Sequence, residues 1–280
     1  MRACDSFGCP VAATCRFWAK APRGMGERRS DRTTEIEALR RGLDLGVGLI
    51  DTAEMYGNGG AEEVVGEAIA GRRDEVFLVS KVFPHNASRR GAVEACERSL
   101  RRLNTDHIDL YLLHWRGGTP LAETLEAFEQ LRADGRIGRF GVSNFDPDDM
   151  RELWEHELGR ESVTDQVLYN LTRRGVEYDL LPWCGEHGLA VMAYSPIEQG
   201  RLLGDSVLKQ VAQRHSATPA QVAIAWVLAT EGVCAIPKAA TAEHVEQNHA
   251  ALEIRLSDED LADLDARFPA PGRAVPLEIL

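Results

Sequence analysis

The chain is short of several things, and each shortage removes a class of function. It has no uninterrupted apolar run of about 18 residues, the length a membrane-spanning helix needs. Positive charge is scarce. With 32 Lys and Arg against 44 Asp and Glu, the formal net charge is −12. A general nucleic-acid binder needs a basic face, so that class is not expected; a local basic pocket for a phosphate is compatible with the balance. The six cysteines lack the paired spacing of a zinc site, and the cluster Cys4, Cys9 and Cys15 reads as reduced, incidental thiols; no metal is expected. No GxGxxG follows an early strand, which weakens a dinucleotide-binding doubly wound sheet. No linker divides the chain. Residues 1–18 carry charge without a clean apolar core and make a poor secretion signal, so a cytoplasmic location is expected.

What is present is a rhythm. Short apolar runs recur at 47–53, 75–82, 107–115, 137–144, 165–170, 189–196 and 233–239, rich in Val, Ile, Leu and aromatics and of strand length. Segments with helical spacing lie between them, as at 34–46, 61–71, 88–103 and 121–135. Strands alternating with helices pair in parallel through right-handed crossovers, and strands covered on both faces should be almost wholly apolar, as these are. Seven strands are clear and a weak eighth is expected around VAATCRFW (11–18). The count favours a (β/α)8 TIM barrel, α/β in class, with an atypical first strand and N-terminal segment.

In such a barrel the active site gathers at the C-terminal ends of the strands. Asp51, Lys81, His114, Asn144, Gln166 and Lys238 each interrupt or close an apolar run there. The stretch LIDTAEMYG adds Tyr56 just beyond Asp51. An anion, a cation, an imidazole and a phenol at one rim have a chemistry. A phenol is a poor acid near neutrality, but a neighbouring ammonium favours the phenolate and lowers its pKa. Lys81 could supply that charge, with Asp51 holding it, and Tyr56 could then give a proton to a developing alkoxide. His114 could orient the carbonyl by a hydrogen bond to the same oxygen. Taken singly, Asp51 and Lys81 would make an ordinary ion pair, His114 a core histidine and Tyr56 a loop aromatic; it is their conjunction that points to catalysis.

Over residues 25–275 the chain resembles the aldo-keto reductases. The motifs that carry the resemblance are LIDTAEMYG with GGAEEVVGEAI, VFLVSKV, DLYLLHW, GRIGRFGVSNF, QVLYN, AYSPI and IPKA, in that order. The segments HWRGG, EYDLLPWC and IPKAATAEHVEQN look closest to bacterial members of the methylglyoxal reductase type. The resemblance implies NADPH-dependent reduction of aldehydes and ketones, methylglyoxal-like and aromatic aldehydes among them, by a tetrad of Asp51, Tyr56, Lys81 and His114 with Tyr56 as proton donor. It implies a nicotinamide held by Ser143, Asn144 and Gln166 and stacked on Tyr194, with Ser195 and the backbone to Leu203 near the pyrophosphate. Lys238 is expected at a 2′-phosphate, and Gln247 and Asn248 at the adenine. Where relatives carry Ser and Arg after that lysine, this chain has Ala239 and His244, with Thr241 as a further donor. NADPH is therefore favoured over NADH by a smaller margin.

Substrate choice is expected to rest on Trp18, Met25, Trp115 and Arg116 and on the tail at 268–280. Residues 25–280 read as one barrel domain and 1–24 as a divergent segment. There FWAKAPRG stands where relatives have a glycine-rich turn ahead of a segment like MGERR, and a displaced start codon or shifted reading frame would also produce it. A monomer is expected, since a closed barrel leaves no edge to cover. The alternative function is a catalytically weak nicotinamide-binding regulator on the same fold.

Overall fold

The computed structural model describes residues 19–20 and 32–280. Its eight strands are β1 (Ala19–Lys20), β2 (Leu49–Asp51), β3 (Phe77–Val82), β4 (Ile108–Leu113), β5 (Ile137–Ser143), β6 (Thr164–Leu168), β7 (Ala190–Tyr194) and β8 (Val233–Ile236). They form one sheet in chain order, every neighbouring pair parallel. The seven strands expected from the apolar runs are all present. The first strand is shifted from expectation. It lies at Ala19–Lys20, beyond the run 11–18, and pairs with Ile50 and Asp51 of β2. The rest of the segment 1–24, with Trp18 and Met25, lies outside the described residues.

Ten helices among the described residues surround the sheet or follow it: α1 (Arg32–Asp44), α2 (Gly60–Ile69), α3 (Arg89–Leu103), α4 (Leu121–Ala133), α5 (Pro147–Glu155), α6 (Leu180–Glu186), α7 (Ser206–Arg214), α8 (Pro219–Ala229), α9 (Ala242–Ala250) and α10 (Asp258–Arg267). Their starts follow from capping. The Ser88 hydroxyl accepts from the Gly91 amide, and Asp146, Thr218 and Ser257 each open a capping box with the side chain three residues on. The segments of α1 and α4 stop at Gly46 and Gly135, with φ of 80° and 70°, a left-handed turn that glycine adopts without a Cβ penalty. Gly66 lets α2 lie against the end of α3; a Cβ there would sit 2.7 Å from the Leu103 carbonyl oxygen.

The alternation of side chains along each strand sorts the core into two layers. Leu78, Tyr111, Leu113, Phe140, Val142 and Val191 face the helices and join the large outer layer. Leu49, Val79, Leu110, Leu112, Leu168, Met192, Tyr194 and Ile236 face inward and fill the barrel. Removing Leu112, wholly buried, would cost about 2–5 kcal/mol by Leu→Ala. The same parity aims the site. Asp51 lies two residues after Leu49, Lys81 two after Val79 and His114 two after Leu112, so all three emerge above the inner layer at one end of the barrel.

Candidate active site

Lys81 is wholly buried, and so is Asp51. The ammonium donates to Asp51 Oδ1 at 2.7 Å and Oδ2 at 2.8 Å, and to the Thr52 carbonyl at 2.8 Å. Burial pushes the Lys81 pKa down, while Asp51 and, more remotely, Glu62 push it back up. Asp51 has a second donor that the linear order of residues hides: Gln166, on β6, gives its Nε2 proton to Oδ1 at 2.9 Å. Gln166, expected at the nicotinamide, completes the shell around the anion in the structure.

Tyr56 and His114 close over this pair. Tyr56 is almost wholly buried, its ring centroid 5.1 Å from Lys81 Nζ. The His114 ring meets it edge-on, with centroids 5.6 Å apart. The four residues expected at one rim are thus brought together. Trp115 packs edge-on against His114 at 5.1 Å and Phe83 at 4.8 Å, forming an aromatic wall beside them. Arg116 turns away. It pairs with Glu152 at 2.9 Å and donates to the carbonyls of Gly117 and Thr119, so its guanidinium staples its own loop to α5.

The next strands carry a polar cradle. Asn144, with φ of 56°, sits in the left-handed region that asparagine tolerates better than most residues. Its amide donates to the His114 carbonyl at 3.0 Å and the Ser143 hydroxyl at 3.1 Å, while its Oδ1 accepts from the Tyr194 hydroxyl at 2.9 Å. Ser143 donates to the Gln166 carbonyl at 2.7 Å. Ser195 follows Tyr194 with φ of 52°, its carbonyl held by Asn170.

Beyond it, the buried Glu198 accepts from Asn170, Arg173 and Arg201 and fixes the turn at 198–204. Burial raises the Glu198 pKa, but those hydrogen bonds outweigh it and hold the carboxyl below its ordinary value. Arg173 also pairs with Glu278 of the tail, and the Leu280 amide reaches the Tyr194 hydroxyl at 3.4 Å. The tail therefore does border the mouth. Glu198, Arg173 and Asn170 read as ordinary loop residues in the sequence until the fold sets them beside one another.

The last group lies past β8. Lys238 is exposed, and the Thr241 hydroxyl accepts from the His244 amide to cap α9. His244 and Gln247 are exposed on that helix, with Gln247 donating to Glu243; Asn248 is buried. Among the described residues no group of three His, Cys, Asp or Glu side chains could hold a metal ion.

The sequence model of the Aldo/keto reductase family matches residues 21–267. The chain belongs to that family. This aldo/keto reductase is 55% identical to the methylglyoxal reductase YeaE of Escherichia coli (strain K12), over 91% of this chain and 92% of that protein. It is 34% identical to the glyoxal reductase of Bacillus subtilis (strain 168), over 87% of each. Its structure resembles that of an aldo/keto reductase from Klebsiella pneumoniae in complex with NADP and acetate, with TM-score 0.93, 52% identity and 95% of each chain covered. Among the described residues of the reductase, no helix is long and apolar enough to cross a membrane.

Proposed function

We propose that this aldo/keto reductase uses NADPH to reduce small aldehydes and ketones to alcohols, methylglyoxal-like and aromatic aldehydes among them. The observation that carries the reading is the buried Lys81–Asp51 pair with the Tyr56 ring against it and His114 alongside. The donor set fits the cofactor. The Asn144 amide, the Ser143 hydroxyl and the Gln166 carbonyl form one linked polar cluster that suits a carboxamide, and the flat face of Tyr194 suits a nicotinamide ring. The exposed Lys238 beside the capped start of α9 suits the phosphate that distinguishes NADPH from NADH. The Escherichia coli and Bacillus subtilis relatives support small dicarbonyl substrates, and the Klebsiella complex supports the cofactor.

Bound NADPH would supply the hydride, which goes to the carbonyl carbon. The protein supplies position and a proton. His114 orients the carbonyl oxygen, and Tyr56 gives its hydroxyl proton to that oxygen as it becomes an alkoxide. Lys81 makes the proton easier to release by stabilising the phenolate left behind, and Asp51 holds Lys81 charged in a buried place. Trp115 and the tail enclose the substrate. We further propose a monomer in the cytoplasm.

Following NADPH and NADH absorbance with a panel of carbonyls tests the reading. Turnover of methylglyoxal and an aromatic aldehyde, faster with NADPH, is the expected result. Tight NADPH binding without turnover would favour the regulatory alternative instead.

A further inference from the structure

The loop that carries Tyr56 is stitched to β3 and the turn after it. The Thr52 amide donates to the Val79 carbonyl at 2.9 Å, Lys81 Nζ to the Thr52 carbonyl at 2.8 Å, and the Glu54 amide to the Lys81 carbonyl at 3.4 Å. There the backbone contacts between the two segments end, since the chain turns into the loop of Tyr56. The stitching continues through one side chain. Glu54 Oε1 accepts from the Phe83 amide at 2.8 Å and from Asn86 Nδ2 at 3.0 Å. Its Oε2 lies 3.6 Å from Arg98, and the carboxylate is only 9% exposed.

We propose that Glu54 is a positioning residue for the reaction: through its two hydrogen bonds it sets the Tyr56 loop against the Phe83 turn. This rests on the assignment of Tyr56 as proton donor. Phe83 is the residue on which Trp115 packs, so one carboxylate oxygen ties the proton donor to the wall of the substrate site. The Glu54 carboxylate is taken up by Phe83, Asn86 and Arg98, so it acts through the loop and not on the reacting atoms. Its effect passes through the backbone of two residues, from Glu54 to Tyr56, and small misplacements of a catalytic group are costly. The hydrogen bonds, and not the charge, do this, because both donors share Oε1 while Arg98 only approaches Oε2.

The comparison is between Glu54→Leu, which removes the acceptor, and Glu54→Gln, which keeps an oxygen in its place. Glu54→Leu is expected to lower kcat at least tenfold while the NADPH dissociation constant, read by fluorescence quenching, changes less than twofold. Glu54→Gln should restore kcat to within about threefold of the parent protein. Asn86→Ala, which removes one donor of the two, should fall between them. A Glu54→Leu protein that binds NADPH and keeps its kcat within twofold overturns the proposal. So does a Glu54→Gln protein as impaired as Glu54→Leu, since the charge would then be the agent.

Amide exchange reads the same contact without turnover. The Phe83 amide should exchange at least tenfold faster in Glu54→Leu than in Glu54→Gln; equal rates overturn the proposal. A failure of the reductase reading would show differently, as no NADPH oxidation by the parent protein with any carbonyl.

Discussion

Lys81→Met is the substitution whose cost the structure sets most directly. It replaces a wholly buried ammonium by an uncharged chain of similar length and leaves the wholly buried Asp51 behind. At 2.7 Å, and with an effective dielectric of about 20, the lost attraction is about 6 kcal/mol. Burying the ammonium had a cost of its own, so the net loss on breaking such a pair is about 3–5 kcal/mol. Gln166 still donates to Asp51, which places the expected value near the lower end.

For a chain of this size that lowers Tm by roughly 6–10 °C. The deficit comes from a buried carboxylate left without its cation. Adding Asp51→Leu removes the stranded carboxylate and should recover most of the stability at neutral pH without recovering activity. Scanning calorimetry of the parent, single and double variants between pH 5 and pH 9 measures all three. A Lys81→Met protein within about 1 kcal/mol of the parent across that range would refute the argument that this is a buried, mutually dependent pair.

Three other outcomes are expected. Tyr56→Phe should lower kcat for aldehyde reduction by at least about a hundredfold while NADPH quenches fluorescence with nearly unchanged affinity; near-normal turnover would remove Tyr56 as proton donor. Lys238→Ala should weaken NADPH by about tenfold and leave NADH almost untouched; equal weakening of both would place the phosphate elsewhere. Asp165 is wholly buried beside the Phe145 amide, its Oδ2 without a hydrogen-bond partner among the described residues. Burial raises its pKa well above the ordinary range, the Phe145 amide opposes the rise, and Asp149 and Asp146 add to it. The folded state then holds a proton that the unfolded state releases, so Asp165 contributes less stability as pH rises from about 4 toward its folded pKa. Asp165→Asn should gain Tm over the parent as pH increases from 4.5 to 8, and a difference that stays constant would show that Asp165 does not titrate in that way.

Much of this was legible in the order of residues. Strands covered on both faces have little freedom in composition, so β2 to β8 announce themselves as apolar runs, and the polar residue that ends each one stands out. Asp51, Lys81 and His114 were visible for that reason. β1 was not, because a two-residue strand has no period to read. Contacts between distant segments were hidden too. Gln166 reaches Asp51 across 115 positions, and nothing local to QVLYN says that its amide donates to a carboxylate. Arg116 looked available to a substrate because its partner, Glu152, sits on α5. Glu54 lay in plain view inside LIDTAEMYG but reads as a solvated loop acid until Phe83 and Asn86 are folded onto it.

The Gln166–Asp51 hydrogen bond has a wider meaning. The groups assigned to chemistry occupy one continuous arc of the barrel, β2 to β4, and those assigned to the cofactor fill the arc from β5 onward. Gln166 is a seam between the two arcs, with its backbone carbonyl in the second and its side chain in the first. Asn144, donating to the His114 carbonyl, joins the same two arcs a second time, so neither side of the site moves without the other. A descendant that altered Gln166 would have to renegotiate both at once.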